Sequence, residues 1–116
     1  MKYILLIYHD EQAFHGSTED EHQKIYAEYR QLIEELKSNG KYLFGDQLQP
    51  TATAQSVRMR DGQQLITDGP FAETREQVGG FFMIEASDAD EANRIAARIP
   101  SARTGTIEVR PVVAAQ

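Results

Sequence analysis

The side chains in this sequence that can do more than pack fall into a few places. Cysteine is absent, which removes thiol nucleophiles, cysteine-ligated zinc and iron–sulfur clusters. No glycine-rich phosphate loop, G-x-S-x-G elbow or H-E-x-x-H pair occurs, so nucleotide, serine-hydrolase and zincin chemistries have no support. The histidines His9, His15 and His22, the phenol of Tyr29 and the stretch Asp68-Gly69-Pro70-Phe71 remain.

The Asp68 stretch is the most informative of these. Pro70 fixes its own φ and constrains Gly69 before it. Two readings are open for Asp68. In one it closes a rigid turn by accepting hydrogen bonds from neighbouring backbone N–H groups. In the other its carboxylate stands at the mouth of a cavity as a catalytic acid/base group or ligand anchor, with Gly69, Pro70 and Phe71 as the ligand-binding loop around it. Base work near neutrality would require that carboxylate to be buried.

The histidines are spaced by six and seven residues, so none forms the i, i+4 pair of a helical metal site. A metal held by His9 or His15 with Asp10 or Glu11 competes with the reading of solvated loop residues, and no metal or cofactor is expected. His9 directly follows an apolar run and is the candidate catalytic proton carrier. His22 falls in the first turns of a helix. Tyr29 lies on the apolar face of that helix, where a buried phenol needs a hydrogen-bond partner. Arg58 and Arg60 alternate with Val57 and Met59, the pattern of a solvated strand face or, alternatively, of an anion site.

These residues need elements to hold them. Lys2 to Tyr8 is almost continuously apolar, as in a strand covered on both faces. After a polar loop, Thr18-Glu19-Asp20-Glu21 has the form of a capping box, and Ile25, Tyr29, Leu32, Ile33 and Leu36 follow a helical face. Asn39-Gly40 supplies the left-handed end. Tyr42 to Leu48 reads as a second strand. Gln55–Arg60 and Gln63–Thr67 flank Asp61-Gly62, a hairpin signal. Gly79-Gly80 precede a second apolar run at Phe81 to Ile84. Ser87 or Asp88 caps a short helix with Ala92, Ile95, Ala96 and Ile99 inward, stopped by Pro100. Thr106 to Arg110 alternates as a half-exposed strand does.

The order strand, helix, strand, hairpin, strand, helix, strand predicts an α+β, ferredoxin-like βαββαβ unit with an inserted β-hairpin. Its first and third main strands, the two apolar runs, belong at the centre of the sheet. Both helices of such a unit cover one sheet face, so an apolar set remains on the other, which marks an interface or a ligand cleft. The expectation is a homodimer whose sheets face each other, against a monomer whose hairpin folds over the open face.

At 116 residues and 13.1 kDa, one domain spanning residues 1–116 is expected. Eighteen acidic against 12 basic side chains, a formal charge of -6, argue against a nucleic-acid surface. The N-terminal apolar run is too short for a signal peptide or a membrane span, which predicts a cytoplasmic protein with no membrane partner.

The opening MKYILLIYHDE, the segment TDGPFAETREQVGGFFMIE and the remainder through IEVRPV resemble the YCII-related family, in particular its DGPF branch, over nearly the whole chain. The resemblance implies a dimeric α/β barrel of ferredoxin-like units. Wider relatives use a His on the first long helix and an Asp before the proline that ends the second. Here those positions hold Tyr29 and Ile99, which moves the implied site toward Asp68 and gives Tyr29 an acid or hydrogen-bonding role. Two functions follow: a small-molecule enzyme or binder using Asp68, Tyr29 and His9 in one cavity, or a non-catalytic regulatory partner of an extracytoplasmic-function sigma factor, docked through Glu28, Glu34 and Glu35.

Overall fold

The computed structural model describes residues 1–114. The first apolar run forms strand β1 (Lys2–His9). Residues 10–17, read from sequence as a polar loop, contain a short helix, α1 (Glu11–His15), started by Asp10, whose Oδ1 accepts from Gln12 N at 3.0 Å and Ala13 N at 3.3 Å. Five residues are too few to show a helical period, so only the cap could have announced it. Helix α2 (Glu19–Ser38) begins where the capping box predicts, with Thr18 Oγ1 accepting from Glu21 N at 3.2 Å. It ends at Gly40, whose φ of +70° only glycine adopts cheaply.

Strand β2 (Tyr42–Gln47) leads through a turn of 3₁₀ helix (Thr51–Thr53) into β3 (Gln55–Arg60) and β4 (Gln63–Asp68). Asp61 and Gly62 both have positive φ, 52° and 75°, the geometry of a type I′ turn. Strand β5 (Gln77–Glu85), helix α3 (Ala89–Ala97), a 3₁₀ turn at Pro100–Arg103 and strand β6 (Thr106–Pro111) complete the chain. The architecture is α+β and ferredoxin-like. Its four-stranded sheet has the order β2-β5-β1-β6 and is antiparallel at every pairing, with the two apolar strands central as expected.

The register places Leu5 of β1 between Phe82 and Val109. Tyr3, Leu5, Ile7, Phe82 and Ile84 therefore share one face, and they form the core with Leu32 and Leu36 of α2 and with Ala92, Ile95, Ala96 and Ile99 at α3. Leu5, Leu36, Ile84 and Ile99 are fully buried, each contributing about 1.5–3 kcal/mol relative to an exposed side chain. The opposite face carries Ile4, Leu6, Phe81 and Met83, all partly exposed, with the more exposed Phe44 beside them.

The β3–β4 hairpin is a separate two-stranded sheet. Val57 pairs with Ile66 on one of its faces and Arg58 with Leu65 on the other, and Val57, Met59, Leu65 and Ile66 are all exposed. The hairpin thus projects rather than folding over its own chain. The radius of gyration, 16.1 Å, exceeds the roughly 13 Å of a compact chain of this length for that reason. No helix among the described residues is long and apolar enough to cross a membrane.

Candidate functional site

Leu32 and Leu36 hold the C-terminal half of α2 on the sheet, while its N-terminal half stands over a cleft of about 540 Å³. The floor of the cleft is shaped by glycine. Pairing of β1 with β5 runs from Ile7↔Gly80 to Tyr8↔Val78, leaving Gly79 as the extra residue of a β-bulge. The His9 imidazole occupies the space over Gly79, where a Cβ would overlap its Nε2. A Cβ on Gly80 would approach the Asp46 carbonyl oxygen to 2.9 Å, and one on Gly45 would approach the Tyr42 hydroxyl to 2.8 Å. These strands can come close enough to floor the cleft only without side chains there.

The walls are mostly apolar or aromatic: Ile25, Tyr29 and Ile33 from α2, Phe14 from α1, Tyr42 and Phe82 from the sheet. Phe82 meets Tyr29 edge-on at 6.1 Å and Tyr42 at 5.2 Å. Polar groups enter at few points. The Tyr29 hydroxyl lies 2.7 Å from Ser101 Oγ in the turn after α3. Burial pushes the Tyr29 phenol above its ordinary range, opposed by hydrogen bonding from Ser101 and by the nearby Arg103 charge. Either hydroxyl of the Tyr29–Ser101 pair can be the donor between them, and burial makes the Tyr29 phenolate still less accessible than that of a free phenol. Burial also raises the Tyr42 phenol, with Asp46 adding to it.

Arg103 makes a two-pronged pair with Glu28, Nη1 to Oε2 at 2.7 Å and Nη2 to Oε1 at 3.1 Å, which fixes the Ser101 turn against α2. Hydrogen bonding from Arg103 holds the Glu28 carboxyl below its usual range. Helix α1 closes one side of the cleft although none of its residues is buried. The Phe14 ring stacks on His22 at 4.2 Å, His22 Nε2–H donates to the Phe14 carbonyl at 2.9 Å, and His9 meets the same ring edge-on at 5.6 Å. At its other end, Glu11 accepts from Thr51 N at 2.9 Å and from Thr51 Oγ1 at 2.8 Å.

Of the residues singled out from sequence, His9 and Tyr29 line this cleft together, and Asp68, Gly69, Pro70 and Phe71 of the same chain do not. Asp68 is exposed at the end of β4, where its Oδ1 accepts from Gln55 Nε2 at 3.3 Å. Gly69 has φ +98°, its N–H donates to Ala54 O at 2.8 Å, and its carbonyl accepts from Ser56 Oγ at 2.9 Å. The segment closes the base of the hairpin. Phe71 is 80% exposed, and the Arg58 guanidinium lies over its ring at 5.4 Å, so that arginine is stacked on an aromatic side chain. On the acidic face of α2, Glu28 and Glu35 are paired with Arg103 and Arg98. Two of the three carboxylates invoked for a basic protein partner are thereby paired within the chain.

Sequence reasoning missed Ser101 and Arg103. A serine after a helix-stopping proline carries no local signal of a partner 72 positions away. Among the described residues, no group of three or more His, Asp or Glu side chains converges as a metal site. A hydroxyl pair and an imidazole line the same half-open cleft, whose walls are mostly apolar or aromatic. That combination can bind a small apolar molecule by one polar atom and move a proton on it.

Comparison with known proteins gives two matches. The model of the YCII-related domain matches residues 1–116. The chain is also similar to an uncharacterised protein of Rhizobium meliloti (strain 1021), 33% identical over 114 residues, covering 97% of this chain and 92% of that protein.

Proposed function

The chain belongs to the YCII-related family, and on that premise we propose that it is a small-molecule enzyme or binder using acid/base chemistry in the cleft between α2 and the sheet. The observation that carries this reading is the Tyr29–Ser101 hydroxyl pair, 2.7 Å apart, on the same cleft as the His9 imidazole. Tyr29, whose phenol burial raises further above neutrality, donates a hydrogen bond to the ligand in this reading. His9, whose imidazole nitrogens can accept and give a proton, is the proton carrier. In this chain the helix position at which the resemblance implies a His holds Tyr29, so in this reading the acid role passes to Tyr29.

The functional unit in this reading is two copies, their open sheet faces meeting as a dimeric α/β barrel. The partly exposed Ile4, Leu6, Phe81 and Met83, with exposed Phe44, support it, because such a patch stays wet only at a cost. Titration with benzyl alcohol, followed by backbone amide NMR, tests the site. Saturable shifts at His9, Tyr29 and Ser101 are expected. Shifts confined to the hairpin and the open sheet face would refute the assignment.

A further inference from the structure

We infer that the cleft takes an uncharged carbonyl compound with a flat apolar body, its oxygen held by the Tyr29–Ser101 hydroxyl pair. The inference rests on the reading of the cleft as a small-molecule site and adds the chemical class.

Charge excludes one large class of ligands. Arg103 is the arginine that lines the cleft, and both of its terminal nitrogens are engaged on Glu28. No lysine lines it among the described residues, and three carboxylate residues, Asp10, Glu21 and Asp46, border it. Asp10 is occupied in capping α1 and Glu21 in accepting from Thr18. Apart from His9, an incoming carboxylate or phosphate therefore meets acids and no free cation, with its desolvation unrepaid.

The hydroxyl pair selects within what remains. Two hydroxyls carry two hydrogens and use one between them, so the pair keeps one to donate and rewards a ligand that brings an acceptor. Edge-on rings at Phe82, Tyr29 and Tyr42, with Ile7, Ile25 and Ile33 around them, suit a flat apolar body. Carbonyl compounds meet both demands, and they acidify the neighbouring carbon. Neutral His9 removes a proton there: the C–H bond breaks, an N–H bond forms, and the electron pair moves onto an enolate oxygen facing the hydroxyl donor. Where the carbonyl compound carries a β,γ double bond, return of that proton to the γ carbon moves the double bond into conjugation, an isomerisation that needs no oxidant or reductant.

The test compares acetophenone, ethylbenzene and benzoate by NMR titration of the full chain. Acetophenone should bind roughly three- to ten-fold more tightly than ethylbenzene, the worth of one hydrogen bond, and benzoate most weakly. Tyr29→Phe and Ser101→Ala should each reduce that preference while ethylbenzene binding, which reports an intact cleft, persists. Benzoate binding as tightly as acetophenone, or a ketone preference unchanged in both variants, would overturn the inference and leave the cleft a small-molecule site. If none of the three ligands shifts the cleft amides, the site assignment itself fails along with the inference.

Discussion

Gly79 makes the room that His9 occupies: the imidazole lies where a side chain at residue 79 would begin. A bulge in β5 thus shapes the space for a candidate proton carrier at the end of β1, with no hydrogen bond to its imidazole among the described residues.

Gly79→Ala should expel the ring from the cleft. The His9 ring proton resonances should move, acetophenone binding should weaken, and thermal unfolding should report a loss of about 1–3 kcal/mol, the usual range for overpacking. An unmoved His9 resonance in a folded variant would show that the ring does not depend on this glycine.

Alkaline stability should track Tyr29. Burial raises its phenol in the folded chain, so the unfolded chain releases that proton first. The stabilisation is complete below about pH 10, the value of a free phenol, and is lost as pH rises through the folded value. Tyr29→Phe should flatten the alkaline limb of a denaturant-midpoint profile. Tyr42, raised chiefly by burial, and Tyr8, raised chiefly by its hydrogen bond to Glu108, contribute in the same direction.

The acid limb should respond to Glu91. Its carboxylate accepts from Ser87 N at 2.8 Å and from Lys41 Nζ at 3.0 Å, and these bonds hold it below its usual range. A lowered carboxylate stabilises the fold above the unfolded value, and the effect fades as pH falls through the folded one. Glu91→Gln should therefore lose its deficit against wild type as the pH of the unfolding measurement is lowered.

Much of the fold was legible because its signals are local and repeated. The apolar runs of β1 and β5 announced central strands. The capping box at Thr18 and the periodic Leu32 and Leu36 announced α2, and Ala92, Ile95, Ala96 and Ile99 announced the inward face of α3. The site was less legible. Tyr29 was visible as a phenol on a buried face, but its partner Ser101 and the Arg103–Glu28 clamp exist only once α3 packs beside α2. Asp68 drew attention by its motif, yet it lies on a projecting strand because the hairpin pairs with itself and not with the main sheet.

The proposed pairing of two copies has its own consequence. Light scattering should give about twice the 13.1 kDa chain mass, and Phe44→Asp, which puts a charge on the exposed edge of the open face, should halve it while leaving the chain folded. A monomeric wild type would remove the second copy from the account.

The central claim is that the His9 and Tyr29 cleft transfers protons, and deuterium uptake tests it most directly. In heavy water, the methyl protons of acetophenone should exchange faster with the wild-type chain than in matched buffer. His9→Gln should slow that enzymatic exchange by roughly a hundredfold or more, the low end of general-base catalysis. Equal exchange in wild type, His9→Gln and buffer would contradict the claim.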